Sequence, residues 1–416
     1  MTLPAQIAVT FDFNSGATFN PGFILGSPDN GVLGVNFFSA SDVVIPTVDL
    51  TPNVYSISIR RGRNIMKDTF EAGTATVRVL DPQGFFNPQS TTSPYYPYLT
   101  PLRKLRVSAT TDTAEHFLFS GYVTDYRYTF PTGQETAYVD ILCSDGFRLL
   151  QMANVATIAD SAAGQDTGTR INKILDDVQW PNTMRSISTG VSTCIADPGT
   201  IRTSLEAIKN AEFSEGLGAF YCSPDGTAVF KSRTEVANTL AQTPIEFNQT
   251  GGIPYRAVKY QFDDKLIIND VKFTRAGGGT TQNVFSQDSI DKYFPHSLTQ
   301  ENLVAQTDAI VLGIAQNYVS TRKETTIRID EMTVDLLDPA VPTDTMIGLD
   351  YFDLLTITNT TQEGSTIVKT LQSLGFAWDI APNKMQVTVT TLEPILETFI
   401  VGSPFWGIIG QSTFSY

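Results

Sequence analysis

The chain has 416 residues, a formal charge of −15, 41% hydrophobic residues and only 17% charged ones. That length predicts two to four domains with sizeable cores and excludes whole-chain disorder. The acid surplus excludes broad, stable nucleic-acid binding, because no basic excess exists to displace counterions. With so few charges, below the usual quarter of a globular chain, the polar surface must be largely Thr, Ser, Asn and Gln. Such a surface needs less desolvation to be buried against a partner, which fits an assembly subunit. Cys143, Cys194 and Cys222 are an odd, widely spaced set. They predict buried thiols in a reducing compartment, not a disulfide scaffold or a zinc knuckle. The opening MTLPAQIAVTFDF has no basic region followed by an apolar core, so no signal peptide is expected. No stretch reaches the roughly 18 apolar residues of a membrane span, so no integral membrane segment is expected.

In chain order, IAVTFDF (7–13) reads as a strand, followed by a Gly/Asn/Pro-rich excursion over 14–34 that is long for a compact-domain loop. Residues 54–62 and 73–84 alternate apolar and polar and then stop at turn-forming sequences. Residues 103–110, 115–130 and 135–146 continue the strand pattern. The chain to about 150 is therefore expected to be an all-β unit, closed as a barrel or packed as a sandwich.

The pattern then changes. A short helix is expected within 145–155, and a stronger one over 166–180, where Ile171, Ile174, Leu175 and Val178 recur at helical spacing. Asp166 or Thr167 is placed to cap it, and Pro181 follows its end. A further helix is expected over 201–216, with Leu205, Ile208 and Phe213 on one apolar side and Gly216 as a stop. Residues 218–233 read as a hairpin turned at SPDG. Residues 239–252 look like a linker. Strands return over 255–279, a helix is expected over 307–322, and a second β-rich stretch runs to 392.

Little in the chain points to chemistry. Neither of the two histidines, His116 and His296, stands near a nucleophile motif. The acid groups Asp176–Asp177, Asp263–Asp264 and Glu212/Glu215 are expected on exposed turns. DPQGFFNPQS (81–90) lacks the acidic register of a calcium loop, and RAGGGT (275–280) lacks the phosphate-loop lysine. No catalytic, cofactor-binding or metal-ligating residue is assigned, and no enzyme activity is expected.

Three groups remain as interface candidates. Arg60, Arg61 and Arg63 form a compact basic cluster in an acidic chain. Strand alternation would send Arg60 and Arg61 to opposite faces. An ion-paired strand end and an inter-subunit contact both fit. Tyr95, Tyr96 and Tyr98 lie in a segment stiffened by Pro94, Pro97 and Pro101, which suits docking on another β surface or on its own. Phe405 and Trp406 belong to an apolar, Gly/Pro-broken stretch, 399–410, which like 19–34 reads as an assembly arm or a fold-back.

The ordered set RRGRN (60–64), FEAGTATVRVLDPQGFFNP (70–88), SPYYPYLTPLRKLRV (93–107) and LFSGYVTDY (118–126) resembles the minor tail and baseplate-hub-like proteins of long-tailed, siphophage-type bacteriophages. In that family an Arg-Gly-Arg turn leads into a strand, then an Asn/Asp-led turn and a proline-rich crossing. VDILCSDGFRLL (139–150), TGTRINKILDDVQWP (167–181), SEGLGAFYCSPDGTAVFKSR (214–233), residues 268–294 and the closing SPFWGIIGQSTFSY extend the likeness over most of the chain. Asp81 stands where Asn is frequent, and Phe86 adds a second aromatic to that turn.

The resemblance implies a mainly β, multidomain hub fold with α+β insertions. Two β-barrel-like or sandwich-like domains would build a tube, here 1–150 and 240–392, although no sequence repeat relates them. A small α+β domain at 151–239 and a C-terminal arm at 393–416 complete the expected organisation. The implied role is structural, joining the tail tube and distal tail ring to the central spike or fibre, and supporting host attachment and genome delivery. The implied partners are two further copies in a pseudo-hexameric ring, the distal tail protein, the tail tube, the tape measure protein and the spike or fibre. The expected location is the virion tail tip, after assembly in the host cytoplasm. A receptor- or carbohydrate-binding tail protein and a tail-associated hydrolase are the competing readings.

Overall fold

The computed structural model describes residues 3–13, 47–65, 68–132, 136–325, 327–360 and 364–394. The proposed arms at 19–34 and 399–410, with Phe405 and Trp406, lie outside the described residues. The first portion contains β1 (Gln6–Asp12), β2 (Thr47–Asp49), β3 (Val54–Asn64), β4 (Thr69–Phe70), β5 (Thr74–Leu80), β6 (Lys104–Thr110), β7 (Glu115–Thr129) and β8 (Tyr138–Ser144). The middle portion contains α1 (Phe147–Met152), β9 (Asn154–Val155), α2 (Thr167–Asp177), β10 (Arg185–Ile187), β11 (Arg202–Thr203), α3 (Ser204–Glu215), β12 (Ala219–Cys222), β13 (Ala228–Lys231) and α4 (Arg233–Asn238). The last portion contains β14 (Ile245–Asn248), β15 (Ala257–Gln261), β16 (Asp270–Arg275), β17 (Gln282–Phe285), α5 (Gln287–Tyr293), β18 (Ser297–Leu303), α6 (Asp308–Arg322), β19 (Arg328–Asp335), α7 (Thr343–Ile347), β20 (Leu354–Thr360), β21 (Thr366–Ala381) and β22 (Lys384–Leu392).

Period-two burial carries the strands. Ala75, Val77 and Val79 of β5 face the core, as do Val139, Ile141 and Cys143 of β8 and Met385, Val387 and Val389 of β22. These strands form one sheet in the order β15–β19–β22–β21–β3–β5–β8–β7–β6–β1–β2, with β14 and β20 branching from β21 and β4 from β3. The two β portions therefore do not stand as separately closed units. They join where β21 runs antiparallel to β3, from Gly375 opposite Gly62 to Ile380 opposite Ile57. A Cβ on Gly62 would lie 2.7 Å from the Gly375 Cα, so the junction requires the bare backbone. The path ends at β15 and β2, and no closed barrel is seen among the described residues; the expected mainly β fold with helical insertions is present, built from several sheets.

The four expected helices form as α1, α2, α3 and α6, with Asp166 capping α2 and Thr203 capping α3. The SPDG hairpin is β12–β13, paired from Ala219 opposite Lys231 to Cys222 opposite Ala228. The linker reading of 239–252 is corrected, because β14 lies there and pairs parallel with β20. The last portion also divides. Strands β16, β17 and β18 form their own sheet, and α6 packs on it around Val271, Phe273, Leu303, Val311 and Ile314. No described helix is long and apolar enough to cross a membrane.

Candidate assembly interface

Strand β3 carries the arginine cluster, and its register decides where each side chain goes. Ile57 and Ile59 point into the core, and Arg61 continues that face while Arg60 is exposed. The Arg-Gly-Arg stretch that the family pattern places in a turn is here within the strand, Gly62 opposite Gly375. Arg61 is consequently a buried cation. Its guanidinium lies 5.0 Å from the centre of the Tyr351 ring and 5.9 Å from that of Phe376. Aromatic faces stabilise a desolvated cation in this arrangement. Tyr351 in turn packs on Phe70 at 4.6 Å and edge-on to Tyr221 at 4.9 Å. Phe70 follows β3, Tyr221 is in the middle portion, and Tyr351 and Phe376 are in the last. All three portions meet at Arg61.

Asp145 completes this junction. One carboxylate oxygen accepts from the Gly73 amide at 2.6 Å and the other from the Phe147 amide at 3.0 Å. Burial pushes its carboxyl up to about 7, against the pull of those amides and of Arg61 and Lys209.

Arg63 is also on the core-facing side. It ion-pairs with Asp68 at 2.7 Å, and Arg322 from the end of α6 reaches the second Asp68 oxygen at 2.5 Å. The Tyr318 hydroxyl donates to the same carboxylate at 3.0 Å. Burial alone would raise the Asp68 carboxyl, but Arg322 and Arg63, with the hydrogen bonds, outweigh it and hold the group below its ordinary value. One buried carboxylate thus clamps the α6 module to the end of β3.

The tyrosines divide as well. Tyr95 packs on Phe86 at 5.1 Å and Phe13 at 5.3 Å, and Tyr98 on Phe13 at 6.2 Å. Tyr96 points outward and is 43% exposed. Of the candidates within the described residues, Arg60 and Tyr96 face solvent, whereas Arg61, Arg63, Tyr95 and Tyr98 are engaged inside the chain.

The groups considered for chemistry are mostly committed to structure. Both Asp81 oxygens accept backbone amides, from Phe85 at 2.8 Å and Phe86 at 3.0 Å, which builds the turn. Glu212 and Glu215, expected on an exposed turn, are buried because α3 runs through the interior of the middle portion. Glu215 accepts from the Thr167 hydroxyl at 2.6 Å and from the Val191 and Ser192 amides at 3.0 Å. Glu212 accepts from the Phe220 amide at 2.8 Å and pairs with Lys209 at 2.7 Å. Asp263 is spent on Arg328 at 2.8 Å, while Asp176 and Asp177 are exposed as expected. All three thiols are buried and free, and burial pushes each of them up, Cys194 to about 11, so none offers a ready thiolate. His296 meets the Tyr293 carbonyl at 3.2 Å and stands 3.8 Å from Asp264. Among the described residues, no group of three or more His, Cys, Asp or Glu is arranged to hold a metal ion. A groove of about 270 Å³ lies over Ser56, Ser58 and Thr76, but charges that line it are paired, Arg78 with Asp140 at 2.7 Å.

No family model and no curated sequence matches the chain. Its fold is nevertheless shared with solved tail proteins. The 43 kDa tail protein of prophage MuSo2 from Shewanella oneidensis superposes with a TM-score of 0.52 at 11% identity, over 84% of this chain and 96% of that one. The tail protein from Neisseria meningitidis MC58 superposes with a TM-score of 0.54 at 12% identity, over 84% of this chain and 94% of that one. The chain therefore has a tail-protein fold along most of its length. The likeness is one of architecture, since about one residue in nine is shared.

The partners of the arginines escaped the sequence reading. Asp68, Arg322, Tyr351 and Phe376 are up to 308 positions apart from one another in the chain, and no local motif links them. The available signal was β3 itself. Two arginines in phase with Ile57 and Ile59 must be buried, and buried arginines require acids or aromatic faces.

Proposed function

We propose that the chain is a non-enzymatic structural subunit of a siphophage-type tail tip or baseplate hub. It joins the tail tube and distal tail ring to the central spike or fibre. The observation that carries this reading is the shared tail-protein fold over 84% of the chain. The low charged content and the internal commitment of the acids and thiols support a structural role over a catalytic one. In this reading three copies form a ring with pseudo-sixfold symmetry, the 1–150 and 240–392 portions each supplying a tube-facing unit. Ring closure places the same surfaces in contact at every subunit boundary. Arg60 and Tyr96 are available for such contacts, Phe405 and Trp406 form part of a terminal arm, and the distal tail, tube, tape measure and spike proteins are the neighbours.

The test is the protein composition and electron microscopy of purified particles, with antibody labelling of this chain. Label confined to the distal end of the tail is the expected result. Absence from mature particles refutes the reading. Turnover of host envelope polysaccharide by the folded, isolated chain would replace it with the hydrolase reading, and saturable receptor-dependent binding to host cells with the receptor-binding one.

A further inference from the structure

Arg61 sits at the meeting point of the three portions with part of its hydrogen-bonding capacity idle. It is 7% exposed, and its Nε and Nη1 make no hydrogen bond among the described residues. Its charge is met instead by the faces of Tyr351 and Phe376, at 5.0 and 5.9 Å. Ring faces offset only part of the cost of burying a guanidinium with unpaired N–H groups. A carboxyl lies beside the same side chain. A Cβ on Gly73 would be 2.9 Å from one Asp145 oxygen and 3.3 Å from the Arg61 Cγ. The Arg61 stem therefore passes the carboxyl while its head turns to the rings, and neither idle nitrogen reaches it. Asp145 accepts from the Gly73 and Phe147 amides.

The other groups that face Asp145 are committed elsewhere. Lys209, from α3, pairs with Glu212 at 2.7 Å and donates to the Phe220 carbonyl at 3.3 Å. The Cys222 thiol of β12 and the Tyr351 hydroxyl are pushed up by burial, so both stay neutral through the range in which Asp145 titrates. Arg148, on α1 itself, is exposed. Beyond this ring the Tyr221 hydroxyl is likewise pushed up by burial. Asp350 and Asp353 stand in the turn before β20, where the Asp350 amide donates to the Asp353 carboxylate at 2.8 Å. Burial and then Asp350 raise Asp353, which Lys231 of β13 partly offsets. Among the described residues, Arg61 is thus the cation facing Asp145 that has no acid partner of its own.

We propose that Arg61 and Asp145 form a proton-operated joint. With Asp145 neutral, the guanidinium rests on Tyr351 and Phe376 and ties the first portion to the last. With Asp145 ionised, it turns to the carboxylate and that tie is released. The gain that moves the head is the exchange of idle N–H groups for charge-assisted hydrogen bonds. Burial raises the Asp145 carboxyl to about 7, against the pull of its amides, Arg61 and Lys209, so the changeover falls near neutral pH. The tie is present below that value and lost as pH rises through it. Tyr351 then keeps Phe70 and Tyr221 at 4.6 and 4.9 Å but loses the cation. The segment that loosens is the 349–353 turn, which is strained at Phe352 with φ 73°. The joint is a property of the fold and holds whatever neighbours the chain meets.

The test is hydrogen exchange of the whole chain at about pH 5.5 and 8.5, corrected for the intrinsic pH dependence of exchange, on peptides covering 349–353. Protection there is expected to fall by about tenfold at the higher pH, a change of about 1.4 kcal/mol in local opening. Asp145→Asn should remove the difference by holding the group neutral. Asparagine also turns a donor toward one of the two amides, so Arg61→Met serves as the second variant and should remove it too. Asp353→Asn should leave it in place. Equal protection of the wild-type turn at both pH values overturns the joint, and so does a pH difference that survives in Arg61→Met. Loss of the difference in Asp353→Asn moves the titration to Asp353 and overturns the assignment to Asp145.

Discussion

Replacing Asp68 with alanine should uncouple the α6 module from the main sheet. The carboxylate faces Arg63 at 2.7 Å and Arg322 at 2.5 Å, in a site where the three side chains are about one-tenth exposed. At an effective dielectric constant of 20 and about 4 Å between charge centres, each pair attracts by about 4 kcal/mol. Desolvation of the three ions offsets much of that sum, so the net worth of the cluster is small. Removing only the carboxylate is different, because it leaves two guanidinium groups buried together. The expected cost is about 3–5 kcal/mol. Global melting is a poor readout for a chain with two cores. Hydrogen exchange of peptides from α6 and β16–β18 isolates the effect, and exchange there should accelerate by roughly a hundredfold or more, at 1.4 kcal/mol per factor of ten. The decisive measurement adds Arg322→Met. Taking away one cation along with the anion relieves the buried excess charge, so the double variant should lose at least about 1 kcal/mol less than the sum of the single losses. Additive losses, or an Asp68→Ala protein within about 1 kcal/mol of wild type, would refute the buried-clamp argument. The pH dependence has a definite sign. The folded carboxyl titrates below its unfolded value, so its contribution is present above about pH 4 and is lost as pH falls through the folded value.

Asp145 should show the opposite dependence. Its folded carboxyl is raised to about 7, so the linked stability is greatest below about pH 4 and declines as pH rises toward 7. Asp145→Asn should flatten the urea midpoint across that window, and an unchanged slope would count against it. Gly62→Ala drives a Cβ to within 2.7 Å of the Gly375 backbone and should cost about 1–3 kcal/mol in urea unfolding, whereas Gly251→Ala, with nothing within 4 Å, should stay within about 0.5 kcal/mol. Glu215→Gln turns an amide donor toward the donors from Thr167, Val191 and Ser192 and should cost about 2–3 kcal/mol, read by chemical denaturation. Equal stability of the Gln variant would mean that the carboxylate is not needed there.

Much of the architecture was legible because it is written in local period. The strands β1, β3 and β5 to β8 and the helices α2 and α3 follow from two- and 3.6-residue spacing, and Asp166 and Gly216 stand at the ends that capping requires. Sheet connectivity was not legible, because the pairing of β3 with β21 joins residues some 313 positions apart. The short helices α4, α5 and α7 span seven residues or fewer, too few turns to show a period. The burial of Glu212 and Glu215 was hidden for a related reason. In α3 apolar and acidic residues share the buried surface, so its periodicity signals no polar face.

The placement of the arginines has a consequence for assembly. A basic cluster invites the expectation of an external contact, yet Arg61 and Arg63 lie on the inward face of β3. Arg61 holds the aromatic meeting point of all three portions, and Arg63 reaches the α6 module through Asp68. A third tie runs from the Thr111 and Thr113 hydroxyls, beyond β6, to Asp344 at α7. Each tie depends on polar geometry, which tolerates less sliding than apolar packing alone. The portions of the chain are thus fixed relative to one another before any partner arrives. That is the property a ring subunit needs, since an angular error between its contact surfaces is repeated at every boundary and prevents closure. On the proposed ring assembly, Arg61 and Arg63 stiffen the subunit from inside, and exposed side chains such as Arg60 and Tyr96 are left for the contacts.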